Sequence, residues 1–300
     1  MTDRHAALFE PQRRRLQAIA YRMLGSRQDA EDVVQEICIR FLAGDLDDIE
    51  TPHAWLVAAV TRACIDRLRR LKLERNTYPG PWLPEPWLEP LAALSAQEEA
   101  ERASDLSMAF LLMLERLAPE ERVAFLLRQV MDWDYVDIAR LIGKSQAATR
   151  QIVHRATARV GRADARFTVS REDAQELLAA FLEAIRTSDI TALVRLLKPD
   201  SRFIGDGGGK VKAALKPIDG AAQIARFLIG VTAPFAPLIT GRLIDVNGSP
   251  GLALYLDRRL ASILAADIDE GGFSGLYNVA NPDKLVLAAR ELGVSALPGV

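Results

Sequence analysis

Residues 132–160, DWDYVDIARLIGKSQAATRQIVHRATARV, form the stretch that decides how the middle of this chain folds. Its apolar residues recur every three to four positions and predict two short helices with a turn between them. Gly143 is placed to end the first helix, and Ser145 is placed to cap the second. Two short helices joined by such a tight turn are typical of a helix-turn-helix.

The second of these helices has a polar face that lacks acidic residues. Between Ser145 and Arg162 the chain contains four arginines and no carboxylate. Long donors together with Gln and Thr side chains suit phosphates and base edges, which a carboxylate would repel. We therefore expect a DNA-binding face made of Ser145, Gln146, Thr149, Arg150, His154 and Arg155. The alternative is an ordinary helical hairpin with a solvated basic face.

The chain as a whole has the composition of a multidomain globular protein. Its 300 residues are too many for one small core, and a hydrophobic content of 49% allows a sizeable buried interior. The first residues lack the apolar segment of a signal peptide, and no run of 18 apolar residues occurs, so we expect a cytoplasmic protein without a membrane span. Cys38 and Cys64 are expected to be reduced core thiols, and no residue spacing suggests a metal site or a cofactor.

Helical patterns dominate the first part of the chain. Three helices are predicted over about 5–25, 26–42 and 53–72, which places a first helical domain at 1–75. The second begins with a capping box at Ser26, and the third with Thr51 followed by proline.

A proline-rich segment follows this helical domain. Residues Asn76–Pro90 contain five prolines and two tryptophans, a composition that forbids a regular helix. We expect a linker over 76–94 that docks elsewhere on the protein through Trp82 and Trp87. A plain extended spacer is the alternative.

A second helical domain and a third domain of different character complete the chain. The second domain is placed at 95–166, with a capping box at Ser95–Glu98 and helices near 96–116 and 120–131 before the helix-turn-helix. After Ser170, helices are predicted at 171–187, 189–197 and 221–229. Short β-prone segments are predicted as strands at Arg202–Gly205, Val211–Leu215, Gly241–Val246, Gly251–Leu256 and Ser262–Asp267. The fold class is thus multidomain: two all-α domains followed by an α+β domain at 170–300.

Two motifs in the first domain resemble a known family. DAEDVVQEICIRFL at Asp29–Leu42 resembles the acidic helix with which sigma factors hold RNA polymerase, and WLVAAVTRACIDRLRR at Trp55–Arg70 resembles their promoter-melting segment. Together with the helix-turn-helix, in the same order, they make the chain similar to an extracytoplasmic-function (ECF) sigma factor. Cys64 departs from the pattern, since Asn or a basic residue is more usual at that position.

This resemblance implies core RNA polymerase and promoter DNA as partners. The acidic face implied to bind polymerase consists of Asp29, Asp32, Gln35 and Glu36. The residues implied to bind and open the −10 element are Trp55, Arg62, Arg67, Arg69 and Arg70. The helix-turn-helix is implied to bind the −35 element. A basic run of this kind also suits a phosphate backbone on chemical grounds alone.

Three further motifs resemble one ECF subgroup. WLPEP at Trp82–Pro86, DGGGK at Asp206–Lys210 and NPDKL at Asn281–Leu285 are similar to motifs of ECF factors with a C-terminal SnoaL-like, cone-shaped α+β extension. In that subgroup the extension is implied to regulate the protein in cis. We expect the three motifs to meet through Trp82, Pro84, Glu85, Asp206, Gly207, Gly208, Gly209, Lys210, Asn281, Pro282, Asp283 and Lys284.

Other functions are weighed against this one. SnoaL-like cones also include enzymes, but all three histidines lie outside the third domain, so we expect no catalysis. Asp267 and Asp269, which alternate on a predicted strand, fit a surface edge as well as a site. A helix-turn-helix repressor whose C-terminal domain binds a small molecule remains the alternative, with an apolar cavity lined by Phe203, Phe227, Phe235 and Leu254. We expect the free protein to be a monomer.

Overall fold

The computed structural model describes residues 2–44, 49, 51–88, 106–160 and 169–299. The chain forms two compact units, and each contains two separate stretches of sequence. The first unit comprises Met1–Asn76 and Leu111–Ala163, and the second comprises Thr77–Phe110 and Asp164–Val300. The proline-rich linker therefore belongs with the C-terminal part of the chain.

Three helices build the N-terminal part of the first unit: α1 (Thr2–Leu24), α2 (Arg27–Ala43) and α3 (Pro52–Arg75). The Ser26 hydroxyl accepts a hydrogen bond from the Asp29 backbone N–H at 3.1 Å, as the capping box predicted. Pro52 begins α3, although the Thr51 side chain makes no capping bond. Large apolar side chains on the facing sides of the three helices are buried, namely Phe9, Leu16, Val34, Ile37, Phe41, Leu56 and Val60.

The other described helices of the first unit are α4 (Met108–Leu114), which enters this unit at Leu111, α5 (Pro119–Gln129), α6 (Tyr135–Ile142) and α7 (Gln146–Val160). The sequence predicted a longer helix over 96–116, and its first part and the capping box at Ser95–Glu98 lie outside the described residues. The α6–α7 hairpin matches the predicted helix-turn-helix, with Gly143 in the left-handed conformation at φ 66°.

The described residues of the second unit form a six-stranded mixed sheet and include the helices α8 (Arg171–Arg186), α9 (Ile190–Leu196), α10 (Ala221–Thr232) and α11 (Pro282–Glu291). The strands are β1 (Leu197–Asp206), β2 (Ile218–Asp219), β3 (Ile239–Val246), β4 (Ser249–Leu256), β5 (Arg259–Asp269) and β6 (Gly272–Val279). Their order in the sheet is β2-β1-β6-β5-β4-β3, and β1 pairs with β6 in parallel while the other pairs are antiparallel. The predicted α+β class is confirmed.

One predicted strand is wrong, and three elements of this unit were not predicted. Val211–Leu215 is not a strand, because the chain there leaves a tight turn in which the N–H groups of Lys210 and Val211 donate to Gly207 O. Strands β2 and β6 and helix α11 were not predicted. β6 lies between two strands and is rich in glycine and polar residues, so its sequence lacks the apolar alternation of a typical strand.

The main core of this unit lies between one sheet face and helices α8–α10. Phe181 of α8 meets Phe273 of β6 edge-to-face, with ring centroids 5.4 Å apart. Phe203 is buried in the same core beside Phe227, and Leu254 packs against it. Phe235, in contrast, is exposed. The prediction that Phe203, Phe227, Phe235 and Leu254 line one cavity is therefore wrong, because three of them pack in the core whereas Phe235 lies exposed on the 3₁₀ helix.

One segment, Ala221–Leu238, is long and apolar enough to cross a membrane by length and composition only. It comprises α10 and the 3₁₀ helix that follows. Ile224 and Ala225 of this segment are buried in the main core. Its buried side thus packs in the core, although only 17% of the segment is buried.

Candidate functional site

The helix-turn-helix presents its polar face through α7. The Ser145 hydroxyl accepts a hydrogen bond from the Ala148 N–H at 3.2 Å and so caps the helix. Apolar residues Ile152, Val153 and Ala156 are buried. The exposed side chains of the predicted DNA-binding set are Ser145, Gln146, Arg150, His154 and Arg155.

Thr149 corrects one member of that set. Its side chain is fully buried, and its hydroxyl donates to Ser145 O at 3.0 Å. Thr149 lies three residues before Ile152 and four before Val153, which places it on the apolar side of α7. It supports the turn and does not face solvent.

Arg150 is held in place by an aromatic ring. Its guanidinium lies 5.4 Å from the centroid of the Tyr135 ring, and that of Arg128 lies 5.2 Å from the same ring. Cation–π contacts of this length orient an arginine without using its hydrogen-bond donors. The donors of Arg150 therefore stay available at the exposed face of α7.

The acidic face of α2 is present, with one exception. Asp32, Gln35 and Glu36 are exposed, and Glu36 forms an ion pair with Arg40 of the same helix. Asp29 is instead largely covered and pairs with Arg67 of α3 at 2.6 Å. Two residues assigned to different surfaces thus bind each other and join α2 to α3.

The basic side of α3 contains exposed Arg62, Arg69 and Arg70. Trp55 at its start is 36% exposed and lies against Phe41, with ring centroids 5.7 Å apart. A groove of about 640 Å³ runs between the acidic side of α2 and the basic side of α3. The acidic wall suits a positively charged partner, and the basic wall suits a negatively charged one.

In the second unit a buried carboxylate collects donors from several segments. Asp206, at the end of β1, is fully buried. It accepts hydrogen bonds from the Tyr78 hydroxyl at 2.5 Å and from the Leu83 N–H at 2.9 Å, both in the linker. It also accepts one from the Gly208 N–H at 3.0 Å and forms an ion pair with Lys284 at 2.7 Å. The motifs WLPEP, DGGGK and NPDKL thus meet at one residue.

Lys284 completes this linker cluster, which we define as Tyr78, Leu83, Asp206, Asn281 and Lys284. The Lys284 ammonium donates to Leu83 O at 2.5 Å and lies 4.0 Å from the centroid of the Trp82 ring. Asn281 caps α11 and donates to the Tyr78 hydroxyl at 2.8 Å. Burial, followed by the hydrogen bond to Asp206, raises the pKa of Tyr78, which therefore stays a neutral donor.

Tyr78 was missed by the sequence analysis because it lies four residues before the WLPEP motif. Its aromatic character beside Pro79 gives only a weak signal for a buried hydrogen-bonding role.

The triple glycine allows this close approach. A Cβ on Gly208, whose φ is 59°, would collide with the Asn281 side-chain amide. A Cβ on Gly209, whose φ is 72°, would lie 2.8 Å from Pro79 of the linker. Both positions combine a left-handed backbone with a nearby partner, so glycine is required there.

The ends of the cluster are held by further contacts. Trp87 is buried, and its backbone N–H and C=O bond to Asn247, the N–H donating to Oδ1 at 3.2 Å and the C=O accepting at 2.7 Å. Pro84 is buried as well, and Glu85 is half-buried. Lys210 and Asp283 form an exposed ion pair at 2.6 Å. The linker from Tyr78 to Trp87 is therefore docked along its length.

The two carboxylates of β5 do not form a pair. Asp267 accepts a hydrogen bond from the Tyr277 hydroxyl at 2.6 Å, and burial raises its pKa despite that bond. Asp269 pairs with Lys198 at 2.7 Å, and this hydrogen bond lowers its pKa. Each carboxylate has its own structural partner.

Comparison with known proteins assigns these features to one family. Residues 8–74 match the Sigma-70 region 2 model, and residues 107–160 match the Sigma-70, region 4 model. The ECF RNA polymerase sigma factor SigJ of Mycobacterium tuberculosis (strain ATCC 25618 / H37Rv) is 35% identical over 288 residues, which cover 92% of this chain and 91% of that relative. The chain belongs to the ECF family of RNA polymerase sigma factors.

Other members of this sigma factor family agree with the assignment. The ECF RNA polymerase sigma factor SigG of Mycobacterium tuberculosis (strain CDC 1551 / Oshkosh) is 30% identical over 285 residues, covering 84% of this chain and 73% of the relative. The crystal structure of M. tuberculosis SigJ matches with a TM-score of 0.73 and 32% identity, covering 94% of this chain and 98% of that one. The similarity to SigJ thus includes the C-terminal α+β unit.

Proposed function

We propose that this sigma factor binds core RNA polymerase through α2, directs it to promoters through α3 and α7, and is regulated by its own C-terminal unit. The observation that carries this proposal is the near full-length similarity to SigJ, an ECF sigma factor. The exposed side chains of α2, α3 and α7 indicate which helix binds which partner.

The polymerase-binding surface is Asp32, Gln35 and Glu36. All three are exposed on one face of α2, where their spacing of three to four residues brings them together. Such an acidic face complements a basic surface on a protein partner and speeds its association. Asp29 contributes by fixing α2 to α3 through Arg67.

The promoter-binding surfaces are basic and lie on two helices. Arg62, Arg69 and Arg70 of α3 track the phosphates of the −10 region, and the exposed Trp55 stacks on an unpaired base. On α7, Gln146 and Arg150 lie near the N-terminus, the part of a recognition helix that contacts base edges. His154 and Arg155 lie one turn later and contact phosphate.

Regulation in cis acts through the linker cluster. The linker joins region 2 to region 4, so whatever holds the linker limits how far these regions separate. The C-terminal unit holds it through Asp206 and Lys284, which are buried and charged. An intramolecular contact of this kind needs no separate regulatory protein.

Charge reversal on α2 tests the central claim. Asp32→Lys with Glu36→Lys should weaken binding to core polymerase at least ten-fold and reduce run-off transcription in proportion, without unfolding the helix. The matched control is Glu172→Lys with Glu176→Lys on α8, which makes the same charge change at the same spacing and exposure. Core binding that is equal in both double variants would remove α2 as the polymerase-binding surface.

A further inference from the structure

A buried group of three charges lies where the two sigma regions meet within the first unit. Glu115, just after α4, accepts a hydrogen bond from Arg122 of α5 at 2.7 Å and forms an ion pair with Arg75 at the end of α3. Arg122 is only 3% exposed, and the Glu115 side chain is 18% exposed. Arg75 is the last residue of α3, directly after the residues that match region 2, whereas Glu115 and Arg122 lie within those that match region 4.

The same two arginines also bind the end of α1. Arg122 donates to Met23 O at 2.5 Å, and Arg75 donates to Leu24 O at 2.7 Å. These carbonyls belong to the last turn of α1, where they lack helical partners and carry the negative end of the helix dipole. Arg122 thus connects region 4 directly to region 2, and Glu115 joins both guanidinium groups.

The two neighbouring arginines favour the ionised form of Glu115. Burial by itself would raise the pKa of Glu115, but the charges of Arg122 and Arg75 outweigh burial and hold that pKa below its ordinary value. Because two cations share one anion in a covered site, removing the anion leaves two close positive charges without compensation. The association of the two regions therefore depends on Glu115.

Two further contacts accompany the buried group. At the rim, Arg69 of α3 donates to Glu120 of α5 at 2.6 Å. Between them lies an apolar seam in which side chains of α1 and α5 are buried, namely Ile19, Met23, Val123, Leu126 and Leu127. Arg69 is one of the arginines assigned to the −10 region, so its donor group is occupied by region 4.

This arrangement conflicts with simultaneous promoter binding. The −10 and −35 elements are separate sites on the promoter, and each base pair between them adds about 3.4 Å along B-form DNA. Regions whose side chains bond each other directly do not reach both elements. We infer that Glu115, with Arg75 and Arg122, forms a charge clasp that holds regions 2 and 4 in a closed resting state and must open before initiation.

The clasp also closes the chain on itself. Arg75 lies directly after the region 2 match and Glu115 lies near the start of the region 4 match, so their ion pair closes a long loop that contains the linker. Closing such a loop costs chain entropy, which favours opening once the ion pair is lost. This inference rests on the proposed function, since initiation is what opening permits.

The test measures the separation of the two regions in the free protein. Fluorophores are attached through Arg15→Cys on α1 and Ala158→Cys on α7, both exposed, while Cys38 and Cys64 are buried. Glu115→Gln should shift the distance distribution to longer values. It should also lower the apparent Kd for core polymerase about ten-fold, because apparent affinity scales with the fraction of competent molecules. The control is Asp137→Asn, which breaks an ion pair within α6 alone.

Glu120→Gln provides a second variant that removes only the exposed rim contact and leaves the buried group intact. It should lengthen the distance in the same direction as Glu115→Gln but less. Unchanged distances in both variants would overturn the clasp. If the distances lengthen while even the wild-type protein fails to bind core polymerase, the clasp stands and the proposed sigma function fails.

Discussion

At the scale of single residues, Asp206 shows how a buried charge is made tolerable. Its carboxylate is fully buried yet receives hydrogen bonds from the Tyr78 hydroxyl and two backbone N–H groups, together with the Lys284 ammonium. A buried ion pair adds little net stability over apolar packing, but removing one partner is costly because the other charge stays buried. Asp206 therefore binds the linker at one defined position on the rest of the second unit.

Asp206→Ala should destabilise the second unit by about 3–5 kcal/mol, because Lys284 would be left buried without its counter-charge. The measurement is the free energy of unfolding in urea. Asp219→Ala is the control, since it breaks the exposed pair with Arg202 on the neighbouring strand and should have little effect. If Asp206→Ala lowers the free energy of unfolding no more than Asp219→Ala does, Lys284 must reach solvent or another partner.

The same scale shows what the sequence could and could not reveal. Thr149 was assigned to the DNA-binding face from its polarity, although its spacing from Ile152 and Val153 marks it as buried. Polarity was the wrong criterion there, because a threonine hydroxyl can bond the carbonyl four residues earlier and so be buried in a helix. Asp29 was misjudged for a different reason, since its partner Arg67 lies on another helix and leaves no local signal.

At the scale of elements, the helices other than α11 were predicted better than the strands, for a physical reason. Helix patterns, caps and stops are local, and Ser26, Gly143 and Ser145 act as the sequence indicated. Strand pairing is not local: β1 pairs with β6 across some 70 residues of intervening chain. A Gly-rich strand such as β6 is stabilised by its neighbours on both sides and not by its own composition.

The same local reasoning gives a prediction for α7. Arg150→Ala should weaken binding of the polymerase-bound factor to the −35 element by about 1–3 kcal/mol if Arg150 reads a base, as the position near the helix N-terminus indicates. The measurement is a titration of promoter DNA at several salt concentrations. Substituting the −35 bases should then weaken DNA binding by the wild-type protein more than DNA binding by the Arg150→Ala variant.

The control for Arg150 is Arg226→Ala on α10, which removes one exposed positive charge far from α7 in sequence. It should leave promoter affinity unchanged at every salt concentration. Equal losses for both arginines would mean that overall charge, and not the face of α7, determines binding.

At the scale of the whole molecule, the proline-rich linker decides which parts of the chain pack together. The sequence identifies this linker only by its composition. The linker between the two sigma regions belongs to the C-terminal unit, so the order of segments in space differs from their order along the chain. Prolines and tryptophans in the linker predicted docking, and the contacts of Leu83 and Trp87 show how it occurs. Its partners Asp206, Asn247 and Lys284 lie more than 100 residues away, which explains why their pairing needed a structure.

Release of the linker should be visible as protease sensitivity. Chymotrypsin cleaves after Trp82, but the next residue, Leu83, is buried, with its N–H bound to Asp206 and its C=O bound to Lys284. Cleavage therefore requires local opening, and its rate reports the free energy of that opening. Lys284→Gln should speed cleavage at least ten-fold, equivalent to about 1.4 kcal/mol. Lys210→Gln, which loses only the exposed pair with Asp283, should be cleaved at the wild-type rate. If both variants are cleaved equally faster than the wild-type protein, surface charge and not the buried ion pair controls release of the linker.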